Sequence, residues 1–127
     1  MKILILEPDK VLQNIYEQAL TGLGFKVDVS SNAQSAISLA DSRTPDLVII
    51  ELQLVEHSGI EFLYEFRSYS DWQTIPVIIN TIIPANEFSN SQLILKNELN
   101  ISTYLYKPDS SLKQLIKEVN RFKYQLA

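Results

Sequence analysis

The chain has 127 residues, of which 46% are apolar and 20% charged, the size and make-up of one self-supporting globular domain. Eleven basic against fifteen acidic residues leave a formal charge of −4, which argues against a nucleic-acid-binding surface. The lack of cysteine excludes disulfides, thiol chemistry and Cys-based metal sites, and a single His excludes a His cluster. Apolar runs such as Leu47 to Ile50 are too short to span a bilayer, and no signal-peptide pattern opens the chain. The expectation is therefore one cytoplasmic domain without a membrane partner.

In chain order, Ile3–Leu6 is a short apolar run. A helical pattern follows, with Val11, Leu12, Ile15, Tyr16, Ala19 and Leu20 on one face, and Gly24 is its stop signal. Phe25, Val27 and Val29 alternate as in a strand. Ser31 and Gln34 have capping-box spacing ahead of a helix carrying Ala36, Ile37 and Ala40. Leu47–Ile50 is a continuous apolar run, the pattern of a strand buried on both faces. Ser58 and Glu61 again have capping-box spacing, ahead of Phe62, Leu63 and Phe66. Val77–Ile79 reads as a fourth strand, about 86–98 as a weaker helix, and Thr103–Tyr106 as a fifth strand. The last helix uses Leu112, Leu115, Ile116, Val119 and Phe122, with Lys117, Arg121 and Lys123 toward its C-terminus, where the helix dipole favours cations.

Alternating strands and helix-length crossovers imply an α/β fold, a parallel sheet covered by helices on both faces. In such sheets functional groups gather at the carboxyl ends of the strands. Those ends deliver Glu7, Pro8 and Asp9, then Glu51, then Asn80 and Thr81, and finally Lys107. Acids, a hydroxyl and a lysine at one end of one sheet form a candidate site. A flavodoxin-like phosphate-binding cofactor site is disfavoured, because the first such loop reads EPDK, with two carboxylates and a proline lacking an N–H.

Four blocks in order, KILILEPD, PDLVIIELQLVEHSGIEFL, IPVIINT and YLYKP, make the whole chain resemble the receiver domain of two-component response regulators. The resemblance implies a five-stranded parallel sheet of order 2-1-3-4-5 with five helices on both faces. It also implies a phosphoryl group taken from a histidine kinase onto an aspartate after the third strand. Two acids after the first strand would help hold Mg²⁺, while a Thr/Ser and a Lys read the phosphoryl oxygens. Thr81, Lys107 with Pro108, and the aromatic switch position Tyr104 match that pattern, and Ser58-Gly59 matches the turn after the third strand.

The match then breaks at three positions. The phosphoacceptor position is Glu51, and the second acid of the pair is Pro8, with Asp9 one residue further on. The small residue expected after the Thr is Ile82. Mg²⁺ needs near-octahedral oxygen ligation and tolerates little displacement, so Mg²⁺ binding is expected to be weak or absent, with no metal site or cofactor. Lengthening the nucleophile by one methylene, about 1.5 Å, is enough to misplace it, since about 1 Å can cost 10²-fold in rate. The expectation is a stand-alone, non-enzymatic pseudo-receiver without an output domain, acting by protein–protein contact. Its partner would be a histidine kinase, a downstream regulator or a second copy of itself. Leu95, Tyr104 and Tyr106 mark the expected partner surface, along the 86–98 helix, the fifth strand and the last helix. A conventional Mg²⁺-dependent phosphoacceptor using Asp9 or Glu51, and a silent scaffold or dimerisation domain, stay open as alternatives.

Glu51 can also act as a permanent partner of Lys107, in part standing in for a phosphorylated aspartate. Tyr104 would then be turned inward. His57 reads as a surface or packing residue and Trp72 as a packing aromatic. The seven apolar residues Ile82, Ile83, Phe88, Leu93, Ile94, Leu95 and Ile101 exceed what one helix face hides. Asn100, where the family commonly has glycine, is the next-best residue for a left-handed backbone.

Overall fold

The computed structural model describes the backbone of residues 1–55, 58–88 and 94–126, and side chains at all of these but 88, 94, 95, 125 and 126. Five strands form one sheet: β1 (Lys2–Leu6), β2 (Lys26–Ser30), β3 (Leu47–Ile50), β4 (Val77–Thr81) and β5 (Ile101–Tyr106). Their order is β2-β1-β3-β4-β5 and every pairing is parallel. The α-helices are α1 (Lys10–Gly22), α2 (Ala33–Ser42), α3 (Gly59–Ser68) and α4 (Leu112–Leu126). Between β4 and β5 the expected weak helix is realised as a 3-10 turn at Ala85–Phe88 and a π turn at Ile94–Glu98. Residues 89–93 between them lie outside the described residues, as does His57.

The central strands are apolar on both sides because both sides are covered. Ile3, Ile5, Leu47, Ile49 and Ile78 pack on Tyr16 and Leu20 of α1 and on Leu115, Val119 and Phe122 of α4. Leu4, Leu6, Val48, Ile50, Val77 and Ile79 pack on Ala36 and Ala40 of α2 and on Phe62, Leu63 and Phe66 of α3. Trp72 belongs to that second core, its ring 5.0 Å from Phe66 and 4.7 Å from Tyr69.

Two expectations are corrected. In α1 the buried stripe is Gln13, Tyr16 and Leu20, while Val11 and Ile15 are exposed. A polar residue takes the inward position because its amide has partners there. In α2 the cap is Asn32, whose side chain accepts from the Ser35 N–H, not Ser31. Asn caps as well as Ser, and the Ser31 hydroxyl is instead held by Lys10 and Gln13, at 2.8 Å each. Gly24, just past α1, has φ 93°, and Asn100, at the entry to β5, has φ 51°; both positions need the left-handed region that Gly and Asn tolerate best.

Candidate functional site

Parallel strands in register bring their carboxyl ends together. Leu6 pairs with Ile50, and Thr81 with Tyr106, so Glu7, Glu51 and Lys107 are each the first residue beyond β1, β3 and β5. β5 gains its phase from an irregularity opposite Val77 and Ile78, where Ile101 and then Thr103 are the partners. The extra residue, Ser102, sets which side of the sheet Tyr104 faces. Gly59 holds the turn after β3 close: a Cβ there would lie 2.6 Å from Leu52 Cα and 2.8 Å from the Glu51 carbonyl. Ser58 caps α3 by accepting from the Ile60 N–H at 3.0 Å.

Glu7 and Glu51 are buried, 2% and 3% exposed, and share one cation. Lys107 Nζ lies 2.6 Å from Glu7 Oε1 and 2.8 Å from Glu51 Oε1. Glu7 Oε2 accepts from the Asp9 N–H at 3.1 Å. Glu51 Oε1 also accepts from the Ile82 N–H at 3.1 Å, and Oε2 accepts from the Gln53 N–H at 3.1 Å and from the Thr81 hydroxyl. All four carboxylate oxygens are therefore engaged. Burial raises the Glu7 carboxyl above its ordinary 4.5, in spite of the Lys107 and Asp9 contacts. Burial works against the Lys107 ammonium, but hydrogen bonds to Glu51 and Glu7 more than reverse this and hold it above 10.5.

The Glu51 contacts run on toward β5. Thr81 Oγ1 accepts from the Ile83 N–H at 3.1 Å, and the Ile83 carbonyl accepts from the Tyr104 hydroxyl at 2.6 Å. Tyr104 is thus turned inward, packed against the α2/α3-side core. Burial, then the charges of Glu51 and Glu87, push its phenol up to about 12.

Asp9 belongs elsewhere than the acidic pocket in which the sequence places it. Its carboxylate accepts from the Val11 and Leu12 N–H groups at 2.9 and 3.1 Å and caps α1, because a helix start with unpaired amides is the nearest donor set. Only its backbone N–H reaches the site. Pro8 supplies no carboxylate. Ile82, 49% exposed, walls an open cleft of about 490 Å³ beside Lys107, shared with Leu12, Ile15, Tyr16, Asn80 and Leu115. Tyr106 is partly buried, and the side chain of Leu95 lies outside the described residues.

Sequence reasoning missed Gln13. It is buried in α1, where its amide donates to the Glu7 carbonyl and to Ser31 Oγ, fixing the loop that presents Glu7. The 13-16-20 spacing with Tyr16 and Leu20 was the available signal. Asn80, 5% exposed, likewise pairs with the Tyr16 hydroxyl beneath the cleft.

The donor set does not fit the Mg²⁺ that such a fold is expected to hold. Its two carboxylates already surround an ammonium, and among the described residues no group of three or more His, Cys, Asp or Glu is placed to hold a metal.

An in-register 2-1-3-4-5 sheet with acid, hydroxyl and lysine at its carboxyl edge defines a receiver-type α/β domain. The family model "Response regulator receiver domain" matches residues 3–120, and the chain belongs to that family. It is 34% identical over 77 residues to the KDP operon transcriptional regulatory protein KdpE of Escherichia coli, covering 61% of this chain and 33% of that one. A 14.6 kDa protein of Leptolyngbya boryana is 29% identical over 96% of this chain and 89% of its own length. A two-component response regulator from Clostridium difficile superposes with a TM-score of 0.84 at 24% identity, over 99% and 98% of the two chains. The chemotaxis protein CheY4 of Vibrio cholerae does so at 0.83 and 19% identity, over 95% and 97%. These structures share the fold. The chain spans roughly a third of the length of the first curated relatives it matches, from 33% to 39%. Among the described residues no helix is long and apolar enough to cross a membrane.

Proposed function

We propose that this receiver domain signals by protein–protein contact without phosphoryl transfer, with Glu51 as a permanent carboxylate in place of a phosphorylated aspartate. The observation that carries the reading is the state of Glu51. It stands at the phosphoacceptor position of the family pattern, and Thr81, Lys107 and the Ile82 N–H already engage it. An aspartate must gain a phosphoryl group to reach those donors; the longer Glu51 reaches them unmodified. Pro8 removes a ligand, and Ile82 crowds the approach of a phosphodonor. Phosphoryl transfer depends on positioning and on charge neutralisation by a metal, and both are compromised here.

The chain Glu51–Thr81–Ile83–Tyr104 is how the carboxylate reaches the β5 face. Glu51 fixes Thr81 and Ile82, Thr81 fixes the Ile83 N–H, and the Ile83 carbonyl receives the Tyr104 hydroxyl. A carboxylate brings one charge and two oxygens where a phosphoryl group brings about two charges and three oxygens, so the standing state is a partial version of a phosphorylated one. Its readers are a histidine kinase, a downstream regulator or a second copy of the chain, meeting it in the cytoplasm.

The test is to capture binding proteins from the native cytoplasm with untreated protein and to measure their affinity for variants. Glu51→Gln and Lys107→Ala are expected to weaken binding at least tenfold while the fold persists. Equal affinity for both variants and the wild type would leave the pocket silent and make the domain a scaffold.

A further inference from the structure

We propose that this chain associates with copies of itself head to tail, an outer row of α4 on one copy seating in the groove between α2 and α3 of the next. The inference goes beyond the reading of Glu51 and uses no part of that pocket. Charge is divided along the chain. From 31 to 66, the stretch that holds α2 and α3, Arg43 is the single Lys or Arg, against Asp41, Asp46, Glu51, Glu56, Glu61 and Glu65. From 110 to 127, the stretch that holds α4, Lys113, Lys117, Arg121 and Lys123 stand against Glu118 alone. α2 and α3 pack on one side of the sheet and α4 on the other, so the molecule carries opposite charge on opposite faces.

The two surfaces match in spacing. The groove, about 470 Å³, is lined by Ile37 and Phe62, by Gln34 and Ser38 of α2, and by Glu61 and Glu65 of α3. On α4, Lys113, Ile116, Lys117 and Asn120 share one patch. Their i, i+3, i+4, i+7 spacing makes a ridge of the kind that packs between helices, with apolar Ile116 for Ile37 and Phe62 and a lysine to either side. Lys113 and Lys117 are four residues apart, as are Glu61 and Glu65, and like charges at that spacing destabilise their own helix. Among the described residues Lys113, Lys117 and Glu65 form no ion pair. Lys113 also stands at the start of α4 and Glu65 toward the end of α3, each at the end where the helix dipole disfavours its charge. Neither placement serves its own helix. An antiparallel approach of α4 to α3 answers both: Lys113 meets Glu65, Lys117 meets Glu61, and the two dipoles run opposed. Because row and groove lie on opposite faces, each contact leaves a groove at one end and a row at the other. The contact is heterologous and open to further copies, and the β5 face that Tyr104 reaches takes no part in it.

The experiment is sedimentation velocity over a rising concentration series at about 0.02 M and about 0.5 M salt, which shortens the Debye length from about 20 Å to about 4 Å. At low salt the mean mass of the wild type is expected to climb past that of a dimer, and at high salt the association weakens about tenfold. Lys113→Glu and Glu65→Lys, both at exposed positions, are each expected to weaken it about tenfold at low salt, and the double variant to regain most of it, because the pair returns with its signs exchanged. Recovery in the double variant also shows that neither change unfolds the chain. A wild type that stays monomeric at low salt overturns the inference. So does association that stops at a dimer, ignores salt, is untouched by both single variants, or stays weak in the double variant. The reading of Glu51 is judged by partner affinity and phosphate adducts, which this measurement does not register, so the two fail separately.

Discussion

Lys107 decides the electrostatics of the site, because two buried acids depend on one ammonium. Removing one partner from such a cluster leaves uncompensated buried charge, which typically costs about 3–5 kcal/mol; Lys107→Met is expected to lose that much in denaturant unfolding. The pH dependence follows from the same contacts. Lys107 is raised above 10.5, so its contribution is complete below that pH and is lost as pH rises through the raised value. An alkaline loss of stability is expected in the wild type and should be smaller in Lys107→Met, where the raised Tyr104 phenol still contributes to it. Glu7 is raised above 4.5, so its protonated form is favoured in the fold. That contribution is complete below 4.5 and falls away as pH climbs through the raised value, and Glu7→Gln should flatten the stability curve in that window. Glu51→Asp alone is not expected to restore phosphorylation, since Pro8 and Ile82 remain. The triple change with Pro8→Asp and Ile82→Ala removes all three departures together.

At the scale of elements, the β4–β5 crossover is tied at both ends. Its start is held by Glu51 and Tyr104 as described, and its end by Arg67 of α3. That guanidinium, 7% exposed, donates to the carbonyls of Leu99 at 2.8 Å, Trp72 at 2.6 Å and Asn100 at 3.1 Å. Arg67→Met should strand buried carbonyls and cost about 2–4 kcal/mol in thermal or denaturant unfolding. Gly59→Ala must push Leu52 Cα and the Glu51 carbonyl apart; overpacking of this kind costs about 1–3 kcal/mol, and the Glu51 contacts should loosen with it. Much at this scale was legible. The strand runs at Ile3–Leu6 and Leu47–Ile50 are apolar because both faces are buried, and period alone reveals that. Gly24 and Asn100 announce their backbone conformations by residue type. What stayed hidden were exchanges between near-equivalent groups: Asn32 for Ser31 as a cap, Gln13 for an apolar residue on the inner face of α1, and Asp9 as a cap instead of a pocket acid. Asp9 is decided locally, by the Val11 and Leu12 N–H groups, whereas Ser31 is drawn from the cap by Lys10 and Gln13, partners distant in sequence of which local pattern carries no record. The β4–β5 irregularity at Val77/Ile78 is of the same kind.

For the whole molecule, the sheet order and the site address were readable because a parallel α/β sheet sends its strand ends to one edge. The pairing of Glu51 with Lys107 and its reach to Thr81 follow the expectation from the resemblance, whereas the Ile82 N–H contact depends on side-chain reach that no spacing encodes. The partner face is expected along the β4–β5 crossover, β5 and α4, where Tyr104 and Tyr106 lie. Leu95→Glu should weaken partner binding or self-association, followed by size measurement across a concentration series; unchanged behaviour with an intact fold would move the face elsewhere. Work without phosphoryl transfer is tested most directly by intact-mass spectrometry after incubation with acetyl phosphate and millimolar Mg²⁺. An unchanged mass is expected. A stable phosphate adduct at Glu51 or Asp9 would contradict it.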